Sequence, residues 1–297
     1  MKLAGNTETP ATSANPHFVL VHGFGGGSWC WYKIKCLMEN FGYKVSCIDL
    51  KASGVDTSVP DDILSFEEYN SPLLDFLSAL SEDEHVVLVG HSAGGLNITH
   101  ASHRFPSKIR MAVYVAATML KSGFQSDEEI RDGTPDLSSY GDVYTFRFGM
   151  GDDHPPTSAI IKQQFLRRII YQMCPQEDCT LASMLLRPGP FFAIRRVKFE
   201  EEAGKDVDKV PRVYVKTMQD KVLSPAQQDA MVRRWPPAQI HELDTDHSPF
   251  FSSPLILAGV LAKAAASSHV PAPDAVGVNR GLLSACNGDV LSSTSAS

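Results

Sequence analysis

The stretch Gly90-His91-Ser92-Ala93-Gly94 constrains the fold of this chain more than any other. It follows a short apolar run, residues 85–89, and opens a small-residue segment able to turn into a helix. Strand, G-x-S-x-G and helix in that order read as a nucleophile elbow, a strained turn that pushes a serine hydroxyl into a cleft. Glycines two residues to either side are needed because a side chain there would collide with the neighbouring strand and helix. The plainer alternative is a glycine-rich turn in which Ser92 only caps the helix.

A serine nucleophile needs a base, an orienting carboxylate and an oxyanion hole. Sites built on such an elbow supply them in the chain order Ser, Asp/Glu, His. The alternating, β-branched run Arg212-Val213-Tyr214-Val215-Lys216-Thr217 reads as a strand, with Asp220 just beyond its carboxyl end. Val222-Leu223-Ser224-Pro225 then enters a helix, and Gln239-Ile240-His241-Glu242-Leu243 reads as a last short strand. The loop Asp244-Thr245-Asp246-His247-Ser248-Pro249 follows it. His247 is the candidate general base, and Asp220 the carboxylate that holds its imidazole. Asp244 and Asp246 are alternatives, but an immediate neighbour on an extended loop usually points away, which favours Asp220. His241 reads as structural or exposed, and His91 as shaping the elbow and lining the pocket.

Near the amino end, the buried-strand run His17-Phe18-Val19-Leu20-Val21 leads into His22-Gly23-Phe24-Gly25-Gly26-Gly27-Ser28. Glycines let this loop bring a backbone N–H close to a developing oxyanion. The candidate donors are the N–H groups of Phe24 and of Ala93. The loop does not complete G-x-G-x-x-G and no Walker lysine follows, so a phosphate loop is the weaker reading. Gly23, Phe24, His91 and Ser248 are the candidate substrate-binding residues.

Around these motifs the chain divides by pattern. Residues 1–16 are polar and read as a disordered N-terminus. Residues 17–117 alternate strand patterns (17–21, 44–48, 86–89, 111–115) with helical ones (31–41, 66–80, 96–105), which argues for an α/β fold with a mostly parallel sheet covered on both faces. Residues 118–206 break into short helices with many aromatics and prolines, and read as a cap inserted over Ser92. The α/β pattern resumes over 207–267, ending in a helix at 255–266. Residues 268–297, rich in Ser, Ala, Gly, Val and Pro, read as a disordered tail.

At 297 residues, 43% hydrophobic and 21% charged, the chain is long enough for one large core with an insert. A net charge of −7 and scattered basic pairs, Arg195-Arg196 and Arg233-Arg234, disfavour nucleic acid. The six cysteines show no zinc spacing, and reduced thiols are the expectation over a local Cys174–Cys179 pair. Neither a secretory leader nor an apolar run of about 18 to 20 residues is present, which points to the cytoplasm and away from a membrane.

The chain resembles the plant methylesterases of the α/β-hydrolase fold, a group related to hydroxynitrile lyases and alkaloid-pathway esterases. The resemblance covers most of residues 17–266. It rests on Phe18-Val19-Leu20-Val21-His22-Gly23, Trp29-Cys30-Trp31-Tyr32-Lys33, Ile48-Asp49-Leu50-Lys51-Ala52-Ser53-Gly54, Val87 through Gly95, and Asp246-His247-Ser248-Pro249-Phe250-Phe251. Pro155 through Lys162 and Arg233-Arg234-Trp235-Pro236-Pro237 look most like the branch that hydrolyses methyl indole-3-acetate, the methyl ester of auxin. The resemblance implies a Ser92–His247–Asp220 esterase that needs no metal or cofactor, acts on a small-molecule methyl ester, and leaves a homodimer open. Lyases of the group carry threonine and lysine where this chain has Gly23 and Ser248; departing cyanide needs a cation, which favours the esterase. Phe24 replaces the family's small residue and is expected to narrow the acyl pocket. The aromatic set Tyr144, Phe146, Phe148, Phe165, Phe191 and Phe192 is expected either to face that pocket or to form cap core. The alternatives are a hydroxynitrile lyase and a non-catalytic hormone receptor on the same scaffold.

Overall fold

A computed structural model describes residues 15–199 and 206–267. Six strands form one sheet in the order β2-β1-β3-β4-β7-β8, every neighbouring pair parallel. They are β1 (His17–Val21), β2 (Lys44–Ile48), β3 (Val86–His91), β4 (Ile109–Val115), β7 (Arg212–Thr217) and β8 (Gln239–Leu243). Alternate side chains of each strand go to opposite faces, and the core divides accordingly. Phe18, Leu20, Val87, Val89, Val113 and Val215 pack against α1 (Tyr32–Asn40) and α10 (Pro254–Ser267), where Ile34, Met38, Leu257 and Leu261 are fully buried. Val19, Val21, Leu88, Ala112, Tyr114 and Tyr214 face α2 (Phe66–Ser78), α3 (Gly94–Arg104) and α8 (Pro225–Arg234). Burying each such large apolar side chain contributes about 1.5–3 kcal/mol. The expected α/β-hydrolase sheet with helices on both faces is therefore present.

The sheet order also places the site. The chain leaves β1 toward β2 and then crosses back to place β3 on β1's other side. Ligands of open parallel sheets bind outside the carboxyl ends of the strands where the order reverses. The two loops that flank this reversal are 22–28, after β1, and the Ser92 turn, after β3. Val21 pairs with Gly90, so both loops leave the sheet at the same level.

Between β4 and β7, in the segment the sequence reading takes as a cap, lie α4 (Asp127–Gly133), β5 (Tyr144–Arg147), β6 (Ser158–Ile161), α5 (Gln163–Phe165), α6 (Gln176–Leu185) and α7 (Phe191–Arg195). α5 runs on into a π-turn over Leu166–Ile170. β5 and β6 form an antiparallel pair, Phe146 opposite Ala159, that the sequence patterns do not announce. Cys30, Cys36, Cys47, Cys174 and Cys179 are all free thiols. No helix among the described residues is long and apolar enough to cross a membrane. The expected disordered segments fall outside the description, apart from residues 15 and 16.

Candidate active site

Ser92 directly follows β3 with φ at +54°, a left-handed conformation that costs a non-glycine residue roughly 1–2 kcal/mol. The turn is held from both sides. The Ser92 N–H donates to the Val115 carbonyl at 3.2 Å, and the Ser92 carbonyl accepts from Thr118 at 3.0 Å and from Gly95 at 3.0 Å. The motif glycines are steric requirements. A Cβ on Gly90 would stand 2.6 Å from the Gly94 carbonyl oxygen, and one on Gly94 would stand 2.5 Å from that of His22. Strand, turn and helix thus touch backbone to backbone, and Ser92 is the one residue of the turn placed to project.

The loop after β1 passes directly against it. A Cβ at Gly23 would be 2.8 Å from Ser92 Cβ. His22, fully buried beneath the loop, fixes its course. Its Nε2 accepts from the Leu50 N–H at 3.2 Å, so Nδ1 carries the proton and donates to the Gly23 carbonyl at 2.8 Å. Burial lowers the pKa of His22, which keeps the ring in this neutral form. The amide N–H groups of Phe24 and Ala93 have no acceptor among the described residues. Both residues line the same cavity as Ser92, so these donors are open to a ligand there.

His247 lies on the loop after β8, 3% exposed. Its Nδ1 donates to Asp220 Oδ2 at 2.8 Å. Asp220 Oδ2 also accepts from Thr217 Oγ1 at 2.8 Å and Gln228 Nε2 at 3.4 Å, while Oδ1 accepts from the N–H groups of Val222 at 2.7 Å and Leu223 at 3.0 Å. Every partner donates into the carboxylate, so Asp220 is locked against the imidazole. The neighbouring acids are engaged elsewhere. Asp246 accepts from the Met173 N–H, Cys174 Sγ, the Ser248 N–H and Ser252 Oγ, and Asp244 from Gln219. His91 Nε2 donates to the His247 carbonyl at 2.7 Å, and its ring lies 4.7 Å from that of His247. Burial, reinforced by the imidazole of His247 alongside, lowers the His91 pKa well below its ordinary value, so it serves as a neutral brace.

Ser92, His91 and His247 line one cavity of about 220 Å³ together with Gly23, Phe24 and Ala93. Of the aromatic set, Tyr144, Phe146 and Phe191 reach its wall; Phe148, Phe165 and Phe192 do not. Ser248 is the clearest departure from expectation: it is fully buried and lies outside the cavity wall, its N–H donating to Asp246 Oδ1 at 3.1 Å. Residues that the sequence reading passed over complete the wall, including Trp29, Phe124, Ile170, Tyr171, Val222 and Arg195. Gln228 was also missed. It is fully buried, touches Asp220, and bonds both the N–H and the carbonyl of Thr217. Of the residues just named, Trp29 alone falls within the motifs that carry the family resemblance. The described residues hold no group of three or more His, Cys, Asp or Glu able to bind a metal.

Known proteins agree with this architecture. Residues 18–260 match the alpha/beta hydrolase family. Methylesterase 17 of Arabidopsis thaliana is 57% identical over 254 residues, covering 85% of this chain and 92% of that protein. Methylesterase 18 of the same plant is 42% identical, covering 84% and 97%. The crystal structure of a methylesterase protein, MES16, from Arabidopsis superposes with a TM-score of 0.75 at 37% identity, covering 85% of this chain and 99% of that one. A hydroxyl-bearing elbow at an apolar cavity, carried by a chain this similar to named methylesterases, leaves one assignment: the protein belongs to the plant methylesterase family of the α/β-hydrolase fold and is a carboxylic ester hydrolase.

Proposed function

We propose that this esterase hydrolyses the methyl ester of a small plant-hormone acid, with methyl indole-3-acetate as its substrate of choice, through an acyl-enzyme on Ser92. The observation that carries the mechanism is the 2.8 Å bond between His247 Nδ1 and Asp220, in a cavity that Ser92 shares. With Nδ1 committed to Asp220, Nε2 is the imidazole nitrogen left to take the Ser92 proton. Ser92 Oγ attacks the ester carbonyl, and the Phe24 and Ala93 amides receive the oxyanion. His247 returns the proton to the departing methanol. It then draws a proton from water, which hydrolyses the acyl-enzyme to the free acid. The scheme draws on side chains and backbone alone.

The substrate reading is supported by the wall. Its apolar, aromatic lining suits a flat acyl group, and about 220 Å³ is below the ~300 Å³ at which drug-sized ligand pockets begin. A neutral Ser248, rather than a cation, follows His247, which favours ester hydrolysis over cyanide elimination. The test is a panel of methyl indole-3-acetate, methyl jasmonate and methyl salicylate compared by kcat/KM. The indole ester is expected to lead. A folded enzyme inert towards it, or one that prefers methyl salicylate, removes this substrate.

A further inference from the structure

Arg195 belongs to a basic pair that the proposed chemistry leaves unused. Among the residues lining the cavity it is the only Arg, Lys, Asp or Glu. It is exposed and makes no ion pair among the described residues. Its guanidinium carbon instead lies 5.7 Å from the centroid of the Phe191 ring. Phe191 in turn meets Phe146 edge-on at 5.3 Å and Phe24 at 6.4 Å. The Arg195 charge also pulls down the phenol of Tyr144, which burial pushes up, so the guanidinium lies near a third residue of the same wall. Its neighbour Arg196 sits 4.8 Å over Phe192, and neither lines the cavity.

Under the Ser92-centred reading above, the Phe24 amide holds the carbonyl oxygen while the Phe24 ring touches Phe191. On that reading, the wall running from Phe24 through Phe191 to Arg195 is open to the part of the acid beyond the carbonyl. We propose that Arg195 is a specificity-determining residue whose guanidinium packs on the ring of the acyl group, favouring arylacetic methyl esters over alicyclic ones. A cation over a ring face is attracted by the ring's quadrupole, most strongly for indole, and a saturated ring offers none of this. A carboxylate on the substrate is the weaker fit. An exposed charge pair is largely screened, and no second cation on the wall would share an anion.

The test uses methyl phenylacetate and methyl cyclohexylacetate, which share a carbon skeleton and differ in the aromaticity of the ring. The ratio of their kcat/KM values is measured in the wild type, Arg195→Met, Arg195→Lys and Arg196→Met. Arg195→Met is expected to lower the aromatic-to-alicyclic ratio about 2- to 5-fold, the range of exposed cation–π contacts, through KM with kcat retained. Arg195→Lys falls between, and Arg196→Met leaves the ratio unchanged. An unchanged ratio in Arg195→Met, or no turnover of either probe by the wild type, overturns the proposal. So does a monomethyl ester of phenylenediacetic acid that loses more in Arg195→Met than methyl phenylacetate does, since that marks an anion site. Failure of the wild type on methyl indole-3-acetate alone, with the ratio shift intact, removes the auxin-ester reading and leaves Arg195 in its role.

Discussion

At the scale of single residues, the site combines two kinds of constraint. Ser92 is held in a left-handed turn that only its neighbours' backbone contacts maintain, and Asp220 is held by five donors that leave it one orientation. The first constraint projects the hydroxyl; the second fixes which imidazole nitrogen is free. Two substitutions separate them. Ser92→Ala removes the proposed nucleophile, and turnover of methyl esters is expected to fall to the residual level, about 10³- to 10⁴-fold over water, that binding and the oxyanion donors alone sustain, while the melting temperature holds or rises. Asp220→Asn preserves shape but turns an N–H toward His247 or Val222, which favours the wrong tautomer. By analogy with other Ser-His-Asp sites its kcat is expected to drop on the order of 10⁴-fold with little change in KM. A mild loss in Asp220→Asn would mean that His247 is oriented by something else.

At the scale of elements, the elbow is a packing solution before it is a chemical one. β1, β3 and α3 approach so closely that Gly94 stands beneath the His22 carbonyl. Gly94→Ala is expected to abolish activity and to lower stability by several kcal/mol, because rigid backbone, not a flexible side chain, must move. Gly259, inside α10, has open space around its Cβ direction. Gly259→Ala is expected to stabilise the protein by about 0.5–1 kcal/mol, with full activity. Thermal melts of the two variants side by side check both. The same contrast explains what could be read from the sequence. Sheet strands appear as apolar runs because both faces are buried, and the elbow appears because sterics demand glycine at fixed spacing. β5 and β6 gave no such signal: β5 is largely exposed, and its partner is brought to it by the cap's fold. Gln228 and Arg195 were illegible for a different reason. Each acts on a group distant in the chain, Asp220 or the cavity wall, and nothing local marks a glutamine as a brace or an arginine as a lining residue.

At the scale of the whole molecule, cap and core are tied by buried carboxylates on both sides. Asp246 reaches Met173 and Cys174 of the cap, and Asp178 of the cap receives Tyr32 and Lys33 of the core. His22, His91 and His100, by contrast, are buried with their pKa values lowered, which makes the fold sensitive to acid. His100 is sandwiched against Phe199 at 5.5 Å and beside Phe66 at 5.7 Å, bonded to Asn70 and facing Glu67, Arg104 and His103. Burial outweighs the Glu67 carboxylate and lowers its pKa to about 4 from 6.5. His22 and His91 are lowered by the same cause. Above pH 6.5 these rings are neutral in the folded and unfolded chain alike, and the contribution to stability is complete. Between 6.5 and 4 the unfolded chain takes up protons that the folded one refuses, so stability falls with pH. For His100 alone the loss at pH 5 is about 2 kcal/mol. Urea unfolding at pH 7.5 and pH 5 is therefore expected to show a steep decline in the wild type and a decline shallower by about that amount in His100→Gln, which keeps a polar partner for Asn70 but cannot titrate. Equal declines in the two proteins would place the acid sensitivity elsewhere, with His17, His22 and His91 as the other imidazoles whose pKa burial lowers.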